Sequence, residues 1–190
     1  LTLRFAPLPG ALQEVREIAR RWGRRSAPGM RRREPASDLD ARNTIVLAGA
    51  HATEEALKQM APGRRVVHLA THGFFLPPPC PLRGAPRAAV QLARDPRVVS
   101  NPLLRAGLAL AGSNGHRSPS VTPEDGLLTA EEIAGIDLRG VEWVVLSACD
   151  TGAGEEHVSE GLLGLRRAFQ AAGARTVVVS LWRVDDAWAL

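Results

Sequence analysis

Apolar runs and helical stripes alternate along the chain. In LPGALQEVREIARRWG, the residues Leu12, Val15, Ile18, Ala19 and Trp22 recur at helical spacing, which predicts a helix with one apolar face. An arginine- and proline-rich stretch then breaks the period. TIVLAG, from Thr44, has the short apolar character of a buried strand, and TEEALKQM predicts a helix that ends before Ala61, Pro62 and Gly63. RVVHLATHG supplies a second strand from Arg65 to Ala70, rich in β-branched residues and stopping at Thr71, His72 and Gly73.

From Phe74 to Pro102 the chain turns to proline and arginine, which predicts a long, mobile excursion leaving directly from His72; loops of that length in compact domains commonly serve function. AGLALAG is the next apolar strand and SNGHRSPSVTPEDG a polar loop. In LLTAEEIAGID, Thr129 and Glu132 have the spacing of a capping box and open a short helix. VEWVVLSA is the most continuous strand pattern. Beyond a glycine-rich turn, Ser159 can cap a helix over EGLLGLRRAFQAAG, with Gly173 as its stop, and RTVVVSLW is a last strand. Strands apolar on both faces, separated by helices, predict a three-layer α/β fold with a mostly parallel central sheet.

Composition narrows the class. At 190 residues, with 45% hydrophobic and 23% charged, the chain has the size and balance of one globular domain spanning 1–190. Two cysteines are too few for a disulfide framework, which points to a reducing cytoplasm, and no apolar run approaches membrane-spanning length. The chain begins at Leu1 with no signal-type apolar segment after it, so it is expected to be a piece of a longer protein. The net charge of +4 is carried almost wholly by arginine, Lys58 being the only lysine. The densest basic run, RRWGRRSAPGMRRREP, holds one aromatic, Trp22. It lacks the interleaved aromatics of a single-strand groove and is read as a solvated loop rather than a nucleic-acid site.

Candidate chemistry concentrates in VVLSACDTGAG, where two motifs overlap. Asp150 opens DTGA, the tetrapeptide that carries an aspartic protease carboxylate. Such a dyad needs a second carboxylate to share its proton, and this chain has no second DTG. Cys149 ends an apolar strand at a turn of small residues, and His72 ends another before Gly73. Chemistry in parallel α/β sheets collects at the carboxyl ends of strands, so the two meet if their strands are neighbours. A thiol beside an imidazole is sufficient for acyl transfer. His68 falls inside its strand and is read as a satisfied core side chain. His51, His116 and His157 fall in loops or at helix starts, and Cys80 among prolines is incidental. No metal-ligand set is recognisable.

HLATHG, LSACDTG and EGLLGLRRAFQAAGARTVVVSLWRVDD, with LPGALQEV, ATEEAL, PLLRAGLALAG and DGLLTAEEIAGIDLRG in outline, together resemble the CHAT family, the caspase-like domains often found behind tetratricopeptide repeats. The resemblance implies a caspase-like fold and a cysteine endopeptidase of the clan that includes caspases and separase. It implies His72 as general base and acid, Cys149 as nucleophile, and the backbone amides of Gly73 and Cys149 as oxyanion donors, with no cofactor. It further implies a protein or peptide substrate, and a tetratricopeptide-repeat region or regulatory protein as partner. In SLWRVDD, Asp185 or Asp186 is expected in the pocket for a basic side chain before the scissile bond, with Arg183 as the opposing base and a helix cap as the competing role for the acids. Family members continue past this segment, so the domain is expected to be truncated at its C-terminus. Two other classes stay open: a catalytically silent CHAT scaffold for protein interaction, and a nucleotide- or nucleic-acid-binding α/β module. GAGEEH lacks the dinucleotide-binding glycine pattern, and no phosphate-binding glycine-lysine loop occurs.

Overall fold

Ten consecutive residues from Val66 to Phe75, alternating between two buried faces, form the longest strand and set out the rest of the sheet. The computed structural model describes residues 4–24, 44–76, 101–115, 124–150 and 155–180. In chain order its elements are α1 (Pro9–Arg24), α2 (Glu54–Met60), β1 (Val66–Phe75), β2 (Ala106–Ala109), β3 (Leu127–Thr129), α3 (Ala130–Ala134), β4 (Trp143–Asp150), α4 (Glu155–Ala171) and β5 (Thr176–Val179). Single 3-10 turns stand at Gly49–His51 and Pro102–Arg105.

The sheet order is β3-β2-β1-β4-β5. β1 runs parallel to β4 and β4 to β5, while β2 is antiparallel to both β1 and β3. Four of the five strands therefore point the same way and β2 alone is reversed. Period-two alternation sends Val67 and Leu69 to one face and His68, His72 and Phe74 to the other. The first face packs with Leu108, Val144 and Leu146 against Ile133 of α3 and Leu165, Ala168 and Phe169 of α4. The second carries a smaller cluster of Phe5, Phe74, Leu76 and Ala109, beside which α1 rests on β1. Helices on both faces make the three layers. Full burial of each large apolar side chain is worth roughly 1.5–3 kcal/mol.

The helix ends follow local chemistry. Thr53 accepts from the Ala56 amide at 3.1 Å to start α2, and the Thr129–Glu132 capping box is complete. After α4, Gly173 takes φ 107°, and the next amide, of Ala174, donates to the Phe169 carbonyl at 3.0 Å, the glycine stop that an L side chain would strain.

Five expectations are corrected. Residues 44–48 form no strand, and Ile45 and Val46 are exposed; an apolar run becomes a strand only where a neighbour accepts its amides, and β1 already has β2 and β4 on its two sides. β1 continues through His72 to Phe75 because β2 pairs with its last four residues, so Phe74 and Phe75 belong to the sheet rather than to the expected excursion, and 77–100 lie outside the described residues. β4 likewise continues through Cys149 and Asp150. α4 starts at Glu155 rather than after Ser159, since a serine that can cap a helix costs little inside one. Trp22, placed on the α1 stripe, is exposed. Among the described residues no helix is long and apolar enough to cross a membrane, and no cluster of His, Cys, Asp and Glu could hold a metal ion.

Candidate active site

His72 and Cys149 are register partners in the parallel β1–β4 ladder. Neighbouring strands lie about 4.8 Å apart, so pairing brings together two positions far apart in sequence. Among the described residues the last pair of this ladder is Gly73 opposite Asp150. On its other side His72 stands opposite Ala109 and Gly73 opposite Leu108 of β2. Both residues thus sit inside strands rather than on turns after them, His72 three residues before the end of β1 and Cys149 next to the last described residue of β4. The backbone of β4 is described through Asp150 and its side chains through Ser147; the Cys149 thiol lies outside the described atoms.

The His72 imidazole is buried and oriented. Its Nε2 lies 2.6 Å from the Ala6 carbonyl oxygen, while Nδ1 is buried with no hydrogen-bond partner among the described residues. A carbonyl can only accept, so Nε2 carries the proton in the neutral ring and Nδ1 keeps the lone pair. The Phe5 ring stands beside it, centroids 5.6 Å apart and planes tilted by 34°. A buried acceptor without a donor costs on the order of 1–3 kcal/mol, and such an orphan in a native fold calls for a reason. An imidazole fixed in one tautomer with a free basic nitrogen is the arrangement a general base requires.

Other histidines divide as their positions suggest. His68, on the same face of β1, lies with Nε2 2.9 Å from Glu14 Oε1, and the other oxygen of that carboxylate accepts from Ser147 Oγ at 3.1 Å. His68 is therefore satisfied within the fold. His51 is exposed on a 3-10 turn. His157 falls on α4, with its side chain outside the described atoms. His116, Cys80, Arg183, Asp185 and Asp186 lie outside the described residues.

Three residues around His72 escape sequence reasoning: Ala6, Glu14 and Asn114. The Asn114 amide grips the Phe5 backbone at both ends, Oδ1 accepting from the Phe5 amide at 2.9 Å and Nδ2 donating to the Phe5 carbonyl at 2.8 Å. A backbone carbonyl has no sequence signature. The one available signal was Glu14, a carboxylate near the apolar stripe of α1, where burial demands a partner.

The single lysine belongs to a different cluster. Lys58 Nζ donates to Glu54 at 3.2 Å, Glu124 at 2.9 Å and Glu132 at 3.0 Å, joining α2, the segment before β3, and α3. Burial, and then the charge of Glu132, push the Glu54 carboxyl up to about 7. For Lys58 burial works the other way, yet hydrogen bonds to Glu124 and Glu132 outweigh it and hold the ammonium above its usual range. The Glu54 carboxylate also accepts from the Gly126 amide.

Residues 1–190 match the CHAT domain family. Human tetratricopeptide repeat protein 28 is 30% identical over 147 residues, which cover 74% of this chain and 6% of that protein. The chain thus spans a small fraction of that relative's length. No solved structure matches it.

Proposed function

Because the chain belongs to the CHAT domain family, which is caspase-like, we propose that it is a cysteine endopeptidase with Cys149 as nucleophile and His72 as general base and acid. The observation that carries this reading is the register pairing of His72 with Cys149 in the β1–β4 ladder. The Nδ1 of a tautomer fixed by Ala6, without a partner among the described residues, supports it.

In this reading the Cys149 thiol gives its proton to His72. The sulfur attacks the peptide carbonyl carbon, and the oxyanion rests on the backbone amides of Gly73 and Cys149. The C–N bond breaks as the imidazolium returns the proton to the departing amine. Water, deprotonated by His72, then attacks the thioester, and the carboxylic acid leaves as the thiol is restored. The chemistry requires no cofactor. Asp185 or Asp186 selects an arginine or lysine side chain before the scissile bond through a charge-assisted hydrogen bond. A tetratricopeptide-repeat region, of the kind named in the human relative, presents the substrate or regulates access.

One observation favours a second reading, a catalytically silent scaffold. Gly73 lies within the sheet opposite both Leu108 and Asp150, where strand partners compete with a substrate for its amide. Alkylation by iodoacetamide across pH, in a Cys80→Ser background, separates the two. The peptidase reading expects Cys149 to react as a thiolate well below the pH at which a free thiol ionises, about 8.5, and to lose that reactivity in His72→Ala. An ordinary thiol profile, unaffected by His72→Ala, would establish the scaffold.

A further inference from the structure

The ring of His72 is oriented by a segment that has no strand or helix of its own. Phe5 and Ala6 lie ahead of α1, and their backbone is held at two places. On one side the Asn114 amide makes both hydrogen bonds to Phe5, at 2.9 and 2.8 Å. On the other, Ala6 is followed by Pro7, Leu8 and Pro9, the last of which begins α1. A residue before proline is confined to extended backbone, and proline fixes its own φ, so this short connector transmits the position of α1 to the Ala6 carbonyl.

α1 in turn is tied to the sheet by Glu14. Its carboxylate spans the strands bearing both candidate residues, reaching His68 of β1 with one oxygen and Ser147 of β4 with the other. His68 stands four positions before His72, and Ser147 two before Cys149. The Glu14 side chain is 11% exposed and that of His68 16%, so water competes little for these bonds. An unpaired carboxylate there would be costly, which makes the bridge a defined register pin between helix and strands.

We infer that Glu14 and Asn114 are positioning residues for His72: together they clamp the Phe5–Ala6 segment so that the Ala6 carbonyl holds the imidazole as its Nε2–H tautomer and leaves the lone pair on Nδ1. The inference rests on the reading of His72 as the base, but its geometric content is testable without any turnover.

The experiment uses protein labelled with 15N in its histidine rings, with the His72 resonances assigned by their loss in His72→Gln. The unsubstituted protein is expected to show His72 as one tautomer, protonated at Nε2. In Glu14→Ala and in Asn114→Ala, each folded by circular dichroism, the His72 ring is expected to pass to a mixture of tautomers, whereas Glu14→Gln, which keeps an acceptor and the side-chain shape, retains it. If Glu14→Ala does not fold, Ser147→Ala, which removes one of the two bonds, is read in its place. A His72 ring unchanged in the folded Ala variants would overturn the inference, as would a ring already of mixed tautomer in the unsubstituted protein. Failure of the peptidase reading is seen elsewhere, in an ordinary alkylation profile of Cys149, so the two failures are distinguishable.

Discussion

At His72 a single carbonyl decides which nitrogen is basic, and the residues that build this arrangement differ in how visible they are. His72 and Cys149 were legible because each follows a run of apolar strand residues and carries a chemically distinctive side chain. The Ala6 carbonyl was not, since every residue has one. On the proposed roles, His72→Ala and Cys149→Ala abolish peptide hydrolysis, while Asp150→Asn leaves a measurable part. Cleavage of a peptide library by the three variants checks this, and loss in Asp150→Asn with survival in Cys149→Ala would restore the aspartic reading. Gly107 illustrates a second invisible constraint: a Cβ there would run into the Phe74 ring and the Leu128 carbonyl. Gly107→Ala is therefore expected to destabilise the fold by about 1–3 kcal/mol, the range for overpacking, visible as a lowered melting temperature. A melting temperature equal to that of the parent would show that the ring moves aside freely.

Among the elements, those with local start and stop signals were predictable and those that depend on a neighbour were not. The capping box of α3 was evident from spacing alone. Thr129→Ala should cost about 1 kcal/mol, as caps do, and Glu132→Ala more, because Glu132 also receives Lys58. Urea midpoints of the two variants give the comparison, and equal losses would deny the Lys58 contact any role. The Glu54–Lys58 cluster between α2 and α3 carries a pH dependence of definite sign. Glu54 rises from 4.5 to about 7 on folding, so the folded state holds a proton that the unfolded chain has released. Its contribution is complete below about 4.5 and is lost as pH rises through about 7. Burial opposes ionisation of Glu132 too, yet the Thr129 amide and Lys58 overcome it and lower its pKa; its contribution is lost on acidification instead. Between about pH 5 and about pH 8 the parent protein should lose stability relative to Glu54→Gln, at about 1.4 kcal/mol for each unit of displacement. Parallel pH profiles for the two proteins would contradict the assignment.

For the molecule as a whole, one core on the α4 face holds the sheet while a smaller cluster on the other face serves the site. Phe169 is 1% exposed in the larger core. Phe169→Ala is expected to cost about 3–5 kcal/mol, a large part of the stability of a domain this size. Leu163, on the same helix but 46% exposed, should tolerate serine with little change. Denaturant unfolding of both variants tests the placement of the core, and comparable losses would mean that α4 is rotated from the described position. The smaller cluster joins Phe5 and Phe74 around His72, so the same apolar contacts that seat the amino-terminal segment also shield the imidazole.

By itself the sequence determined the α/β alternation, the centres of β1, β2, β4 and β5, the cap of α3, the glycine stop after α4, and His72 and Cys149 as the candidate pair. These follow from hydrophobic period, cap geometry and side-chain chemistry, all of which act over a few neighbouring residues. Only the tertiary structure decided that His72 lies opposite Cys149, that β2 runs backwards and extends β1 through the site, that TIVLAG stays outside the sheet, and that Glu14, Asn114 and Ala6 converge on one imidazole. Those outcomes depend on which strand edge accepts which amide and on contacts between segments up to 133 residues apart, as between Glu14 and Ser147. No local pattern specifies such pairings, because any apolar strand can satisfy its amides against several others, and the choice falls to the packing of the whole chain.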